Sequence, residues 1–362
     1  MTPFSQTRFM KSNPTTNEDG IVLLLVVFVI ALASILVVNL AHSTAMGAQV
    51  SSNLQRSVSA EYLLKSAVNV ARVLIRDDQT LEDSSKDTWG KFADGITIPP
   101  DLLSLRDKNV RITLEIRPEE SKLPLTALLP QGAQDPNDRW LKAFVALFRS
   151  PELNFDQDEE EVDQSGLFEK RHFKAEELAG ILVDYMDPGN KSYEAGGIES
   201  ELPDDVFPNQ PIKRTSELSG VPGFTALRIQ KLLPYVSAVG SPSTGGPVAA
   251  GAAGTQTVNI NLAPSIVIRA LSPRLDDDMV KRIIEFRKSD DGPFPDNYIG
   301  KLTEIIGDQS IVSEIQTMVK TNSKWFQVIA KVDYGTSIMF MRAYLFKNAK
   351  DELPEVRSIE IF

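Results

Sequence analysis

The 362 residues contain no cysteine. The fold therefore has no disulfide, no zinc–thiolate centre and no thiol nucleophile, whatever the redox state around it. Imidazole is nearly absent too: His42 and His172 are the whole supply, and His42 closes an apolar run. A Ser-His-Asp triad or a His-rich metal centre has almost no material, so no enzymatic function is expected. Positive charge is also in deficit, with 38 Lys and Arg against 49 Asp and Glu, a net charge of −11 and a pI near 4.9. That balance works against attraction to phosphate backbones and acidic lipid surfaces, and nucleic acid is not an expected partner.

A third absence is local. No Asp, Glu, Lys or Arg occurs from Gly20 to Gln55, and from Ile21 to Ala41 only Ser34 and Asn39 interrupt an apolar run. About 20 apolar residues suffice to span the hydrocarbon core of a membrane. A plain signal anchor, or a signal peptide cut after Ala45, would use the same run. Both fit imperfectly, because Arg8 and Lys11 sit well upstream and Asn17-Glu18-Asp19-Gly20 abuts the run directly. The helical pattern continues without Pro to about Arg76, a helix of roughly 80 Å at 1.5 Å per residue. Beyond the membrane, Val50, Leu54, Val58 and Tyr62 recur every fourth residue, followed by Leu64, Val68 and Leu74, so one stripe stays apolar.

A polar leader ending in Gly ahead of a helix that is half membrane and half amphipathic resembles type IV pilins and the pseudopilins of type II secretion. The resemblance implies removal of the leader by prepilin peptidase between Gly20 and Ile21, with methylation of the new terminus. Most members of that superfamily carry Glu as the fifth residue after the cut, where it neutralises the terminal amine of a neighbouring subunit in lipid. This chain has Leu25. Unpaired charge in hydrocarbon is costly, so a subunit beneath another gains by supplying the counter-charge, and a subunit with nothing above it needs none. Lack of that Glu, with an unusually large soluble region, resembles the K-type (GspK) minor pseudopilins, which cap the pseudopilus tip.

The soluble region reads as strands flanking helices. Val110, Ile112, Leu114 and Ile116 alternate as in a strand with one buried face, starting near Asn109. Lys324–Val332 and Ser337–Phe346 form a hairpin around Asp333-Tyr334-Gly335-Thr336, and Arg357–Phe362 adds a last strand. Between them, amphipathic helices are expected at Asp138–Phe148, Ala175–Met186, Thr225–Leu233, Pro264–Leu271, Asp276–Lys288 and Ile311–Val319. The stretch from Gly240 to Thr257 is too poor in large apolar groups to pack and reads as a flexible linker.

The order of several phrases extends the family resemblance over most of the chain. They are Leu114-Glu115-Ile116 before Glu119-Glu120-Ser121-Lys122-Leu123, Asp184-Tyr185-Met186-Asp187 before Gly196-Gly197-Ile198-Glu199, Val221-Pro222-Gly223-Phe224, and Val258-Asn259-Ile260-Asn261-Leu262-Ala263-Pro264. The implied fold class is α+β: a long N-terminal transmembrane and amphipathic helix, then an antiparallel pseudopilin sheet interrupted by a large insertion of two SAM-like, helix-hairpin-helix-like units. The corresponding division is a leader at 1–20, the helix at 21–80 (transmembrane to about 41), and the opening α/β segment of the pseudopilin fold at 81–134. The first helical unit, with its acidic loop, follows at 135–239, then the linker at 240–257, the second unit at 258–320 and the closing sheet at 321–362.

Asp184, Asp187, Asn190, Glu194 and Glu199 crowd into a short stretch with Pro188-Gly189 and Gly196-Gly197, so the chain can turn and gather oxygens for a hard cation such as Ca²⁺. A solvated acidic loop is the plain alternative. Family resemblance favours calcium, because the matching loop in K-type pseudopilins binds it, with Asp187 and Glu199 the foremost ligands. The resemblance also implies I- and J-type minor pseudopilins, the major pseudopilin, the inner-membrane secretion platform and prepilin peptidase as partners. The helix face Val50, Leu54, Val58 and Tyr62 is the expected partner interface. Export of folded proteins is the implied role, and a single-pass inner-membrane protein with a periplasmic head the implied location. A minor pilin of a type IV pilus has the same leader and helix. Helix-hairpin-helix DNA binding is disfavoured, because Asp276-Asp277-Asp278 stand where a phosphate would sit.

Overall fold

A computed structural model describes residues 18–99, 110–129, 133, 135–159, 171–203, 206–239, 256–335 and 337–362. The expected leader up to residue 17, most of the expected linker (240–255), Asn109 and Thr336 lie outside the described residues. The chain divides into two units, 1–62 and 63–362.

Helix α1 runs from Glu18 to Arg76, ending where the apolar pattern does. In the first unit its apolar stretch is exposed throughout and is long and apolar enough to cross a membrane. In the second unit Leu64, Ala67, Val68, Ala71 and Ile75 are buried at helical spacing, so this end of α1 is a core helix. Each large apolar side chain buried in this way contributes on the order of 1.5–3 kcal/mol.

After α1 come strands β1 (Ile96–Ile98) and β2 (Arg111–Pro118), a two-residue strand β3 (Leu123–Pro124), and helices α2 (Asp138–Phe148), α3 (Ala175–Met186) and α4 (Ala226–Leu232). Two-residue strands β4 (Val236–Ser237) and β5 (Val258–Asn259) follow, then α5 (Ser265–Ala270), α6 (Asp277–Lys288), α7 (Ile299–Ile306), α8 (Gln309–Ile315) and β6 (Val319–Lys320). The chain closes with β7 (Trp325–Asp333), β8 (Ile338–Phe346) and β9 (Glu355–Ile361). Side chains cap several helices: those of Asn137, Thr225, Asp276 and Asp308 accept backbone N–H groups of α2, α4, α6 and α8.

Five strands form one antiparallel sheet in the order β1-β2-β7-β8-β9. Its register follows the period-2 patterns. Ile112, Leu114 and Ile116 pair with Val332, Ala330 and Val328, and Met341 and Ala343 continue the row opposite Ala330 and Val328, all buried. At the β7–β8 turn Gly335 takes φ +79°, which glycine adopts at no steric cost, and its N–H donates to Asp333 Oδ1 at 2.7 Å. The α+β class is thus observed: helices α2 to α8 are inserted between neighbouring strands β2 and β7.

Two parallel clasps organise the insertion. β3 pairs with β4 and closes off α2, α3 and α4; β5 pairs with β6 and closes off α5 to α8. One continuous hydrophobic cluster, including Phe144, Leu147, Val267 and Val312, runs through both helical groups, and α2 packs against α5. Two expectations change. The last expected helix, Ile311–Val319, is instead α8 at Gln309–Ile315, because Val319 is drawn into the parallel pair with Val258. Helix α7 stands where the sequence pattern marks no helix.

Candidate metal centre in the loop after α3

Helix α3 is almost wholly buried, and it carries Asp184 at no measurable exposure. A carboxylate there is tolerable only if its oxygens are satisfied. Asp184 Oδ1 accepts the Tyr193 N–H at 2.6 Å, while Oδ2 accepts those of Ile198 at 2.6 Å and Glu199 at 2.9 Å. One side chain thereby folds the loop from Pro188 to Glu199 back over the end of the helix. The glycines permit the approach. A Cβ on Gly180 would stand 2.7 Å from Ala195 O, and Gly196 takes φ +102° with Glu177 Cα at 2.7 Å from its own would-be Cβ. This accounts for a glycine inside a buried helix, where it otherwise weakens the element.

The fold-back brings Asp184, Asp187 and Glu199 together, with one carboxylate oxygen from each within 4.8 Å of the others. Asp187 caps the end of α3, and its Oδ1 accepts the Gly189 N–H at 2.8 Å. Asn190 and Glu194, the other two expected ligands, stay exposed. Asn190 Oδ1 accepts from Asn209 Nδ2 at 3.3 Å, and Glu194 is not among the converging carboxylates.

Charge is crowded here. Burial pushes the Glu199 carboxyl up to about 7; a hydrogen bond from Asn209 opposes it, and the charges of Asp187 and then Asp184 add to the rise. Burial also raises Asp187, opposed by the Gly189 N–H, and it raises Asp184 despite three backbone donors. Glu199 Oε2 and Asn209 Oδ1 are both buried with no hydrogen-bond partner among the described residues. An unpartnered buried oxygen costs about 1–3 kcal/mol. Two of them beside clustered carboxylates fit a hard cation with oxygen ligands. Asn209 escaped the sequence reading because it stands ten residues beyond Glu199 as an isolated amide. Its φ of +47°, a conformation that Asn tolerates better than most residues, aims Nδ2 at Gly189 O, 2.9 Å away.

The other expected sites lie on α1 or in the helical insertion. Ile21 and Leu25 are 65% and 59% exposed on the apolar stretch, one residue and five residues past Gly20. Val50, Leu54, Val58 and Tyr62 are 64%, 65%, 45% and 68% exposed, so this face stays largely open to solvent among the described residues. The Gly220-to-Gly223 turn has the glycines of a phosphate-binding hairpin, but of the two basic residues near it, Arg228 and Lys231 of α4, Arg228 is fully buried and bonded to Asp158, so it does not face solvent as a phosphate ligand must. Asp276 spends its carboxylate on the Met279 N–H at 2.7 Å, which leaves negative charge at the start of α6.

Residues 121–241 match the family model for protein K of the type II secretion system. The match spans β3, α2, α3, the acidic loop and β4, and it bears out the resemblance drawn from their motifs. In three dimensions the chain is similar to a chain in the crystal structure of the GspK-GspI-GspJ complex from the enterotoxigenic Escherichia coli type 2 secretion system. The TM-score is 0.57 at 17% identity, over 88% of this chain and 99% of that one. That likeness establishes the fold. No curated protein matches the chain.

Proposed function

We propose that this chain is a K-type minor pseudopilin at the tip of a type II secretion pseudopilus, where it initiates or caps the filament that exports folded proteins. The observation that carries the reading is the family match over the acidic loop and its flanking clasp, residues 121–241. Supporting it is the one helix among the described residues that is long and apolar enough to cross a membrane, at the N-terminus, which fits a single-pass anchor. Prepilin peptidase cuts between Gly20 and Ile21, leaving the head in the periplasm and α1 in the inner membrane. Leu25 then supplies no counter-charge for a subunit above, which suits a terminal position. The bulk of the helical insertion suits the same place.

The partners in this reading are one I-type and one J-type minor pseudopilin, docked along Val50, Leu54, Val58 and Tyr62. The complex named for the similar structure is the template for that assembly. Calcium sits among Asp184, Asp187 and Glu199, with Asn209 Oδ1 as a further oxygen. A cation there neutralises the buried carboxylates and holds the loop in place of a disulfide. At a hundredfold excess over Kd, binding to the folded state adds about 2.7 kcal/mol.

The test is co-expression of the processed chain with I- and J-type pseudopilins from the same genome, followed by detergent extraction and size analysis. A ternary complex is expected. Failure to associate with either partner refutes the assignment, as does intact-mass detection of Met1 in the mature protein. Chelation should lower the melting temperature of the wild type but not of Asp187→Ala/Glu199→Ala; an unchanged wild-type melt removes calcium from the reading.

A further inference from the structure

A second group of carboxylates lies where α1 hands over to the sheet, away from the loop after α3. Asp78, Asp83 and Asp87 each place an oxygen within 4.8 Å of the others, and Asp78 and Asp83 are buried. Together they stitch the segment after α1 to the helical clasp and the sheet. The Asp83 N–H donates to Thr321 O at 2.8 Å, Asp83 Oδ2 accepts the Ser323 N–H, and Asn259 Nδ2 reaches Asp83 O, Thr321 O and Ser323 Oγ. Trp89, stacked edge-on against Phe326 of β7, donates to Asp78 Oδ2 at 3.1 Å, and Asp87 Oδ2 accepts the Ser84 N–H at 2.6 Å.

The charges do not balance. Among the described residues, the cation facing the three carboxylates is Lys347 at the end of β8, with Nζ 3.9 Å from Asp83 Oδ1. Glu82 adds to the repulsion on Asp87. With all three carboxylates ionised, two negative charges stay uncompensated in a poorly hydrated place, which is costly. Thr321, whose carbonyl holds Asp83, also keeps a buried hydroxyl with no partner among the described residues. Each aspartate already takes an N–H donor, and Lys347 stands on the approach to Asp83 Oδ1. A proton relieves the junction without displacing any of these groups.

We propose that this junction is a pH-sensitive latch, in which a proton held by Asp83 and Asp87 in mildly acidic solution keeps the segment Asp78–Asp87 fastened to Thr321 and Ser323 just ahead of β7, and loss of that proton toward alkaline pH loosens it. Burial pushes Asp83 up to about 7, and the Ser323 donor and Lys347 only partly offset it. It pushes Asp87 up to about 6, with Asp78 acting in the same direction. Asp78 goes the other way: burial raises it, but the Thr80 and Trp89 donors outweigh burial, so it remains the ionised member. Since Asp83 titrates far lower in the unfolded chain, the folded state holds the extra proton between about pH 4 and 7, so stability falls as pH rises through that window and levels off above it.

The experiment is amide hydrogen exchange on the full processed protein in detergent and chelator, read at Asp83, Ser84 and Ser323 and corrected for the intrinsic pH dependence. The opening constant should be about tenfold smaller at pH 6 than at pH 8, and Asp83→Asn should abolish the difference. A flat wild-type response overturns the latch, as does an undiminished response in Asp83→Asn. If that variant does not fold, Asp87→Asn serves instead: removing the like charge should shift the transition to lower pH, and an unshifted one counts against the proposal. If Ca²⁺ at pH 8 tightens these amides as much as acid does in the Asp187→Ala/Glu199→Ala background, the junction is a cation site and the latch is wrong.

Discussion

Gly197 lies against Asp184 so closely that a Cβ on the glycine would stand 2.5 Å from both carboxylate oxygens. The same Cβ would meet the Tyr193 nitrogen at 2.2 Å, so backbone as well as side chain would have to yield. Gly197→Ala should therefore break the fold-back of the loop and destabilise the head by at least about 2 kcal/mol. Gly180→Ala gives a sharper test, because alanine in an open helix gains up to about 1 kcal/mol over glycine. Here it should destabilise instead, since Ala195 O occupies the space. Thermal unfolding of both variants checks the sign.

Asn209 offers a separate handle on the same loop. Its Nδ2 ties Gly189 and Asn190, while its Oδ1 is buried without a partner among the described residues. Asn209→Ala should weaken calcium binding about tenfold or more and leave the chelator-treated melt within about 1 kcal/mol of wild type. Isothermal titration with Ca²⁺ reads the first quantity and thermal unfolding in chelator the second. A variant that binds calcium as the wild type does removes Asn209 from the ligand shell.

What was legible in the sequence was what has a period. The alternation of Ile112, Leu114 and Ile116, and of Phe326 to Val332, placed the central strands, and the apolar repeats of α2 and α3 matched their observed ends. Two-residue parallel clasps have no period to detect, so Val319 reads as helical and the closing of each helical group leaves no trace in the pattern. Helix α7 is short and carries Gly300 in its first turn, which reads as a loop. At the site, Asp184, Asp187 and Glu199 were legible because they cluster in sequence. Asn209, Asp78, Asp83 and Asp87 gain their meaning from elements that only tertiary folding brings to them.

Leu54 and Val58 project from the uncovered face of α1 outside the apolar membrane run. Burying a charge against an apolar partner helix costs several kcal/mol, whereas an exposed charge on a lone helix costs little. Leu54→Glu/Val58→Glu should abolish association with the smaller pseudopilins and shift the melt of the isolated chain by about 0.5 kcal/mol or less. Co-purification and thermal unfolding report the two effects independently. A complex that survives places the interface elsewhere.

Arg228 and Asp158 provide the strictest test of how the first helical group is held. The guanidinium is fully buried, and its Nε donates to Asp158 Oδ2 at 2.7 Å while Nη2 reaches Oδ1. The same head also donates to the carbonyls of Gly223, Phe155 and Phe173, so one side chain joins the turn before α4 to segments on either side of residues 160–170. Truncating one partner of a buried pair leaves the other uncompensated, typically at a cost of about 3–5 kcal/mol. Arg228→Ala should lose that much, and Arg228→Lys should recover little, because a single ammonium cannot serve a carboxylate and three carbonyls through a planar fork. Asp158→Asn should cost less than Arg228→Ala, since its side chain still accepts one bond and the three carbonyls keep their donors. Urea unfolding of the three variants decides it: a lysine variant as stable as the wild type would show that charge alone, and not the fork, fastens this region of the head.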